Sequence, residues 1–181
     1  MNKGNSALKM ILTLVVIAAV IALAMSYVNR LTAPIIEQNA KDKLNQSLSE
    51  VLKADEYTVL SENDEAVVYG AIKEGQQIGV CVVNSAKGYG GDIKVMSGIL
   101  NDGTVSKIEI LEMSETPGLG ANAGNEKFKA QYEGKSENIG VSKTNPGKTD
   151  ILAISGATIT SKAVTEAVND AIVIAKQWGD K

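Results

Sequence analysis

The fold of this chain is decided by residues 66–111, which read AVVYGAIKEGQQIGVCVVNSAKGYGGDIKVMSGILNDGTVSKIEIL. Short turns separate four runs rich in Val and Ile, which cover residues 66–72, 78–83, 93–100 and 105–111. Asp102-Gly103 lies between two of these runs, and Asp-Gly in that setting is a strong hairpin signal. The stretch therefore predicts four antiparallel strands.

Helices are predicted before and after these strands. Apolar residues recur at near-helical spacing after Pro34, a residue tolerated in a first turn, and they predict an amphipathic helix that ends near Ala54. Residues 161–178 predict a second helix with one apolar face, which would pack across the sheet. That face consists of Val164, Ala167, Val168, Ala171, Ile172, Ala175 and Trp178. Between the strands and this helix, residues 134–149 are polar and predict a surface loop.

The N-terminal part contains an uncharged run, residues 10–28, which reads MILTLVVIAAVIALAMSYV. As a helix rising about 1.5 Å per residue, this run spans roughly 28 Å, close to the hydrocarbon thickness of a bilayer. The alternative is a signal peptide cleaved near Ala22-Leu23-Ala24, but its apolar region is usually only about 7–15 residues long. We therefore favour one uncleaved transmembrane helix. Basic residues flank the run on both sides, so their count does not orient it.

These signals divide the chain into a short tail (1–9), a transmembrane helix (10–28), a connecting helix (29–54) and a folded domain (55–181). The predicted class is α+β, with an antiparallel sheet and flanking helices behind a single transmembrane helix. Charge follows the same division. The first 36 residues hold three basic residues and no acid, whereas the remainder holds 21 acids against 15 lysines, a net charge of −6. So acidic a domain is a poor nucleic-acid binder.

The composition excludes several kinds of catalytic site. The 181 residues include no histidine and one cysteine, Cys81. Without histidine there is no Ser-His-Asp or Cys-His set and no His-ligated zinc or haem, and a single cysteine cannot form an internal disulfide or a Cys-only metal cage. Cys81 is flanked by valines and predicts a buried structural thiol. The chemistry must come from a borrowed group or from carboxylates and hydroxyls.

Residues 155–161, directly before the last predicted helix, form the first candidate site and read SGATITS, with four hydroxyls in seven residues. One interpretation is that Thr160 or Ser161 caps the helix by accepting a hydrogen bond from its first amides. The other is that these unpaired amides and the helix dipole bind an anion such as phosphate. Capping is the commoner pattern but explains only one hydroxyl, so the residues alone leave both interpretations open.

Residues 115–120, directly after the last predicted strand, form the second candidate site and read ETPGLG. Proline fixes φ and glycine permits positive φ, so the segment is typical of a turn. A dinucleotide-binding loop needs G-x-G-x-x-G between a strand and a helix of a parallel unit. Neither this segment nor residues 88–91, which read GYGG, meets that condition.

One membrane helix, ETPGLG at 115–120 and SGATITS at 155–161 before a terminal helix together make a specific combination. It closely resembles the FMN-binding G subunit of the Rnf complex, an ion-translocating ferredoxin:NAD oxidoreductase. It is also similar to the C subunit of the sodium-translocating NADH:quinone oxidoreductase, which is a longer chain. The resemblance covers essentially the whole sequence, and the short length favours the Rnf member.

The resemblance implies a membrane-anchored electron-transfer subunit with covalent FMN, carrying a redox cofactor rather than a complete active site. A separate flavin transferase, with FAD as donor, would join FMN to Thr158 through a phosphoester bond. Of the two interpretations of residues 155–161, the resemblance therefore favours the phosphate site over the helix cap. The residues expected around the linkage are Ser155, Gly156, Ala157, Thr160 and Ser161. Those expected to line the flavin are Glu115, Thr116, Pro117, Gly118, Leu119 and Gly120.

The resemblance also implies partners and a location. The partners would be the A, B, C, D and E subunits of an Rnf complex, the flavin transferase during maturation and the lipid bilayer, with no catalytic or metal site of the chain's own. The flavin domain would lie on the outer face of the cell membrane, which is the periplasmic face in a two-membrane cell. In one departure, Leu152 stands where related sequences often carry an aspartate, and the nearest acid is Asp150. The alternatives are the corresponding subunit of a Na⁺-translocating NADH:quinone oxidoreductase and a non-redox, membrane-anchored assembly module.

Overall fold

The computed structural model describes residues 3–136 and 138–178. Its helices are α1 (Lys3–Val51), α2 (Glu126–Lys129) and α3 (Thr158–Ala175), with 3₁₀ helices at Gly120–Gly124 and Ala130–Tyr132. Its strands are β1 (Glu56–Glu62), β2 (Ala66–Lys73), β3 (Gln76–Lys87), β4 (Asp92–Leu100), β5 (Val105–Glu112), β6 (Val141–Ser142) and β7 (Ile151–Leu152). The chain divides into two compact units, Met1–Asp42 and Lys43–Lys181.

Strands β1 to β5 form one antiparallel sheet in which every strand pairs with its sequence neighbours, in the order β1-β2-β3-β4-β5. The four predicted strands correspond to β2 to β5, so the predicted antiparallel sheet is confirmed. β1 is not among the predicted strands, and the sheet therefore has five strands rather than four. The reason is physical: β1 pairs only with β2 at the edge of the sheet and is largely exposed, so its sequence, EYTVLSE, needs no apolar run.

Helix α3 covers one face of the sheet and builds the main core with it. The sheet contributes Val82, Val95 and Ile108, and α3 contributes Val164 and Val168, all of them fully buried. The predicted apolar face of the helix is confirmed, and Trp178 packs against the same core as a partly buried side chain. The helix begins at Thr158, three residues before the predicted start. This earlier start changes what the hydroxyls of the SGATITS segment can do.

The other face of the sheet is covered by the end of α1. Leu48 and Val51 pack with Cys81 and Met96 in a second apolar cluster. Cys81 is fully buried, and this burial raises the pKa of its thiol to about 12. Cys81 is therefore the buried structural thiol that the sequence predicts, because a thiol that stays protonated is a poor nucleophile.

Helix α1 is continuous from Lys3 to Val51, with Pro34 in its interior. The helix predicted after Pro34 is therefore present but does not begin there, because it is the last part of α1; it ends at Val51, three residues before the predicted end near Ala54. A proline in a helix removes one hydrogen bond, and the helix-forming residues on both sides continue the helix through it. The large apolar side chains between Leu8 and Val28 are all exposed, and α1 is long and apolar enough to cross a membrane.

Between the sheet and α3 the chain forms short elements. The predicted surface loop, residues 134–149, is largely exposed but contains β6, which pairs in parallel with β7. A two-residue strand leaves no periodic pattern, so the sequence could not indicate it. Ahead of this loop, the 3₁₀ helix Gly120–Gly124 and α2 follow the ETPGLG segment directly.

Lys129 is a buried lysine that anchors α2 by pairing with a partly buried and an exposed carboxylate. Its side chain is 4% exposed, and its Nζ lies 2.5 Å from Glu109 Oε2 on β5 and 2.6 Å from Glu126 Oε1. Burial disfavours the charged ammonium, but the two carboxylates together outweigh burial and raise the pKa of Lys129. These ion pairs thus tie the segment that follows Gly120 to the sheet.

Replacing Lys129 with alanine is expected to lower the free energy of unfolding by about 3 kcal/mol, because the Glu109 carboxylate loses the cation that compensates its burial. Lys127 is the matched control, since it is an exposed lysine on the same helix. Lys127→Ala should change stability by less than about 0.5 kcal/mol. Urea unfolding of the full chain in detergent, followed by circular dichroism, measures both values. Equal stabilities of the two variants would contradict the structural role of Lys129.

Candidate functional site

A cleft of about 880 Å³ brings the two candidate segments together. Its volume lies within the range of about 300–1,000 Å³ that is typical of small-molecule sites. The described residues that line it are Tyr89, Glu115, Thr116, Leu119, Gly120, Lys143, Leu152, Ala153, Ile154, Ser155, Gly156, Ala157, Thr158, Ile159 and Thr160. The sequence places these residues as far apart as the end of β3 and the start of α3, and the fold makes them one site.

Nine of the twelve residues predicted for the site line this cleft. The other three, Pro117, Gly118 and Ser161, do not. Pro117 and Gly118 form the turn that brings Leu119 to the cleft, closed by a 3.1 Å hydrogen bond from Leu119 N to Thr116 O, with Gly118 at φ +78°. Ser161 is fully buried below the cleft. Contact of any of the twelve with a flavin stays a prediction.

Glu115 joins three segments of the cleft wall. Its carboxylate is nearly buried, and Oε1 accepts hydrogen bonds from the backbone amides of Tyr89 at 2.9 Å and Gly90 at 3.0 Å. Oε2 accepts a hydrogen bond from the Thr160 hydroxyl at 2.8 Å. Hydrogen bonds to a carboxylate are stronger than those between neutral groups. Glu115 therefore fixes the β3–β4 turn and the start of α3 to each other and acts as a positioning residue.

Close approach to this carboxylate explains the glycines around it. A Cβ atom added to Gly88 would lie 2.3 Å from Glu115 Oε1, and one added to Gly120 would lie 2.3 Å from Oε2. One added to Gly90 would lie 2.1 Å from the carbonyl oxygen of Ser114. The GYGG segment is thus no phosphate loop but part of the scaffold of the cleft. Its dense glycines are the one signal in the sequence that could have indicated this.

The start of α3 is uncapped by any side chain. Ala157 is the N-cap residue, and no side chain there accepts a hydrogen bond from the helix. Thr160 and Ser161 lie inside the first turn: Thr160 donates to Glu115, and Ser161 Oγ donates to Ala157 O and accepts from Ile154 N. The interpretation that Thr160 or Ser161 caps α3 is therefore wrong, because the helix begins before both of them. The amides of residues 158–160 have no intrahelical partner, whereas Ser161 N already donates to Ala157 O, and the helix dipole is positive at this end.

Thr158 is the first residue of α3 and lines the cleft. Its side chain is partly exposed, and among the described residues none forms a hydrogen bond with its hydroxyl. Gly156, with φ +76°, makes the turn that precedes it. A threonine with an unengaged hydroxyl therefore lies beside the unpaired amides of a helix N-terminus.

Four exposed apolar side chains line the cleft together with Thr158, and the sequence indicated only one of them. Tyr89 is 74% exposed, Ile159 55%, Leu119 44% and Leu152 42%. Only Leu119 belongs to the residues predicted for the site. Exposed apolar side chains that converge on one cleft are typical of a site for an aromatic or aliphatic ligand.

Residues 88–173, which contain the cleft, match the family model described as an FMN-binding domain, and residues 1–51 match the model described as the RnfG N-terminal region. The chain is 36% identical to the G subunit of the Na⁺-translocating ferredoxin:NAD⁺ oxidoreductase complex of Acetobacterium woodii, over 92% of this chain and 90% of that one. It is 34% identical to the G subunit of the proton-translocating ferredoxin:NAD⁺ oxidoreductase complex of Clostridium ljungdahlii, over 86% and 83%. The chain belongs to the family of Rnf complex G subunits.

A solved structure shares the fold. The C subunit of the Na⁺-translocating NADH-quinone reductase from Parabacteroides distasonis aligns with a TM-score of 0.54 at 24% sequence identity, over 64% of this chain and 63% of that one. The matched part is less than two thirds of the solved chain. At this identity the likeness supports the fold alone, which agrees with the predicted α+β class.

Proposed function

We propose that this chain is an electron-transfer subunit of an Rnf-type ion-translocating oxidoreductase and that it carries FMN covalently on Thr158. Membership of the Rnf G-subunit family and the FMN-binding domain support the electron-transfer role. The observation that carries the covalent attachment is the position of Thr158, whose hydroxyl is unengaged among the described residues and lies at the uncapped N-terminus of α3 in the cleft.

The residues of the cleft fit FMN in chemical terms. The unpaired amides of the first turn of α3 suit a phosphate, which helix N-termini commonly bind. The apolar side chains of Leu119, Leu152 and Ile159 suit an isoalloxazine ring. The cleft volume of about 880 Å³ leaves room for both parts of the molecule.

Attachment needs one hydroxyl from this chain and a donor from elsewhere. We propose FAD as the donor and a flavin transferase as the catalyst. The Thr158 oxygen bonds to the flavin-side phosphorus of FAD, the pyrophosphate P–O bond breaks, AMP leaves and the hydroxyl proton is released. A covalent bond retains FMN where free FMN in the surroundings would be too dilute to keep a reversible site filled.

Bound FMN supplies the electron-transfer chemistry, and the chain supplies binding and orientation. Glu115, the one carboxylate among the described lining residues, has both oxygens in hydrogen bonds to the protein, so it is held away from proton-transfer chemistry. The first part of α1 serves as the membrane anchor, and we place the flavin domain on the outer face of the membrane. The partners in this proposal are the other subunits of an Rnf complex.

The mass of one tryptic peptide tests the attachment. Residues 149–162 form a peptide that contains Thr158 and ends at Lys162. When the peptide is isolated from the full chain produced with a flavin transferase, its mass should be larger by that of one FMN less one water, and the addition should be on Thr158. An unmodified peptide from such a preparation would refute covalent attachment. The alternative, a non-redox assembly module, requires in addition that a complex with Thr158→Ala keeps its electron-transfer activity.

A further inference from the structure

Lys143 is the one cationic side chain among the described residues that line the cleft. It is exposed, and among the described residues no carboxylate forms an ion pair with it. The acid of the same cleft, Glu115, already accepts three hydrogen bonds from the protein. Lys143 therefore presents an ammonium group without an ion-pair partner in the same cleft as the positive end of the α3 dipole.

The pairing of β6 with β7 positions Lys143 at the cleft. β6 and β7 pair in parallel with Ser142 opposite Leu152, and Ala153 N donates to Ser142 O at 2.8 Å. Lys143 follows β6 directly, and residues 153–157 follow β7 and lead to Thr158. The two-residue pairing thus sets the lysine beside the segment that enters α3.

Asp150 holds the loop that carries this lysine. Its Oδ2 accepts a hydrogen bond from Gly147 N at 3.0 Å, and a Cβ atom added to Gly140 would lie 2.3 Å from its Oδ1. The carboxylate therefore closes residues 140–150 into a defined loop. An ordered loop reduces the entropy lost when an exposed lysine pairs with a ligand.

We propose that Lys143 pairs with an anionic oxygen of the FMN carried on Thr158, an inference that rests on the proposed function. FMN attached in this way has two kinds of such oxygen, those of the phosphodiester and, when the flavin is reduced, that of the pyrimidine edge. Both are hydrogen-bond acceptors for an ammonium group. Lys143 is then a positioning residue that holds the flavin and, where it pairs with the pyrimidine edge, favours the reduced, anionic flavin.

The test uses the full chain, produced with a flavin transferase and checked first for FMN on the 149–162 peptide. The variants are Lys143→Gln, Lys143→Arg and the exposed control Lys127→Gln, whose lysine does not line the cleft. Phosphorus NMR of the loaded chains reports on the phosphodiester, and spectroelectrochemistry gives the flavin midpoint potential. If the pyrimidine edge is the partner, Lys143→Gln should disfavour the reduced flavin about threefold to tenfold, which is a fall of about 15–30 mV for two electrons.

Each result supports or overturns the inference. A changed phosphorus chemical shift in Lys143→Gln identifies the phosphodiester as the partner of Lys143, and a lowered midpoint potential identifies the pyrimidine edge. Either result supports the inference when Lys143→Arg gives the same value as the original chain in that measurement. Loss of loading in Lys143→Gln with normal loading in Lys143→Arg also supports it. The inference is overturned if the FMN-loaded Lys143→Gln variant matches Lys127→Gln in both the phosphorus shift and the midpoint potential. It is also overturned if both Lys143 variants fail to load FMN. A wild-type chain without FMN instead refutes the proposed function.

Discussion

Replacing Thr158 with alanine is expected to abolish covalent flavin completely, and replacing it with serine should preserve it. Alanine removes the only atom of the side chain that can bond to phosphorus, whereas serine keeps it. The fold should be unaffected, because Thr158 is partly exposed and its hydroxyl has no hydrogen bond among the described residues. Such a substitution typically changes the free energy of unfolding by less than about 0.5 kcal/mol.

Flavin fluorescence in a denaturing gel measures this effect, because only a covalent flavin stays with the chain. Thr149→Ala is the matched control: this exposed threonine lies in the same tryptic peptide but outside the cleft lining. It should retain full fluorescence. Fluorescence that persists in Thr158→Ala would move the attachment to another hydroxyl of the segment, and mass spectrometry of the 149–162 peptide would identify it.

Replacing Glu115 with alanine is expected to destabilise the domain by about 3 kcal/mol and to prevent flavin loading. The substitution leaves the backbone amides of Tyr89 and Gly90 and the Thr160 hydroxyl without their acceptor. Each hydrogen bond to a charged group contributes about 1.5–3 kcal/mol, and part of this is recovered when water enters the space. Loading fails because the turn and the start of α3 are no longer fixed to each other.

Glu115→Gln separates geometry from charge. The glutamine Oε1 can accept from both backbone amides, and its Nε2 can donate to Thr160 Oγ1, since a hydroxyl also accepts hydrogen bonds. All three contacts can therefore form in weaker, neutral versions, at a cost of about 1 kcal/mol. Urea unfolding in detergent and the yield of loaded chain measure these effects. Glu112→Ala, an exposed carboxylate at the end of β5, is the control and should resemble the original chain. If Glu115→Ala is as stable and as well loaded as this control, Glu115 does not position the cleft.

The elements that the sequence predicts well are those with a local signal. β2 to β5 and α3 bury one or both faces in the core, so their apolar residues form runs or recur at strand or helical spacing, which can be recognised within a few residues. The elements that it does not predict lack this signal. β1 is a polar edge strand, β6 and β7 have two residues each, and α1 continues through a proline that usually marks a helix start.

The sequence by itself determined the available chemistry: no histidine, one cysteine among valines, and a hydroxyl-rich segment that contains Thr158 just before a helix. These features depend only on composition and on neighbours within a few positions. Only the tertiary structure decided that Glu115, which lines the cleft, also joins the β3–β4 turn to the start of α3. It also decided that Tyr89 of the GYGG turn and Lys143 belong to the same cleft as Thr158. Glu115 meets Tyr89 across 26 residues and Thr160 across 45. Helical and strand periodicity extend over only a few residues, so contacts of this range exist only once the sheet has brought the ends of its strands together.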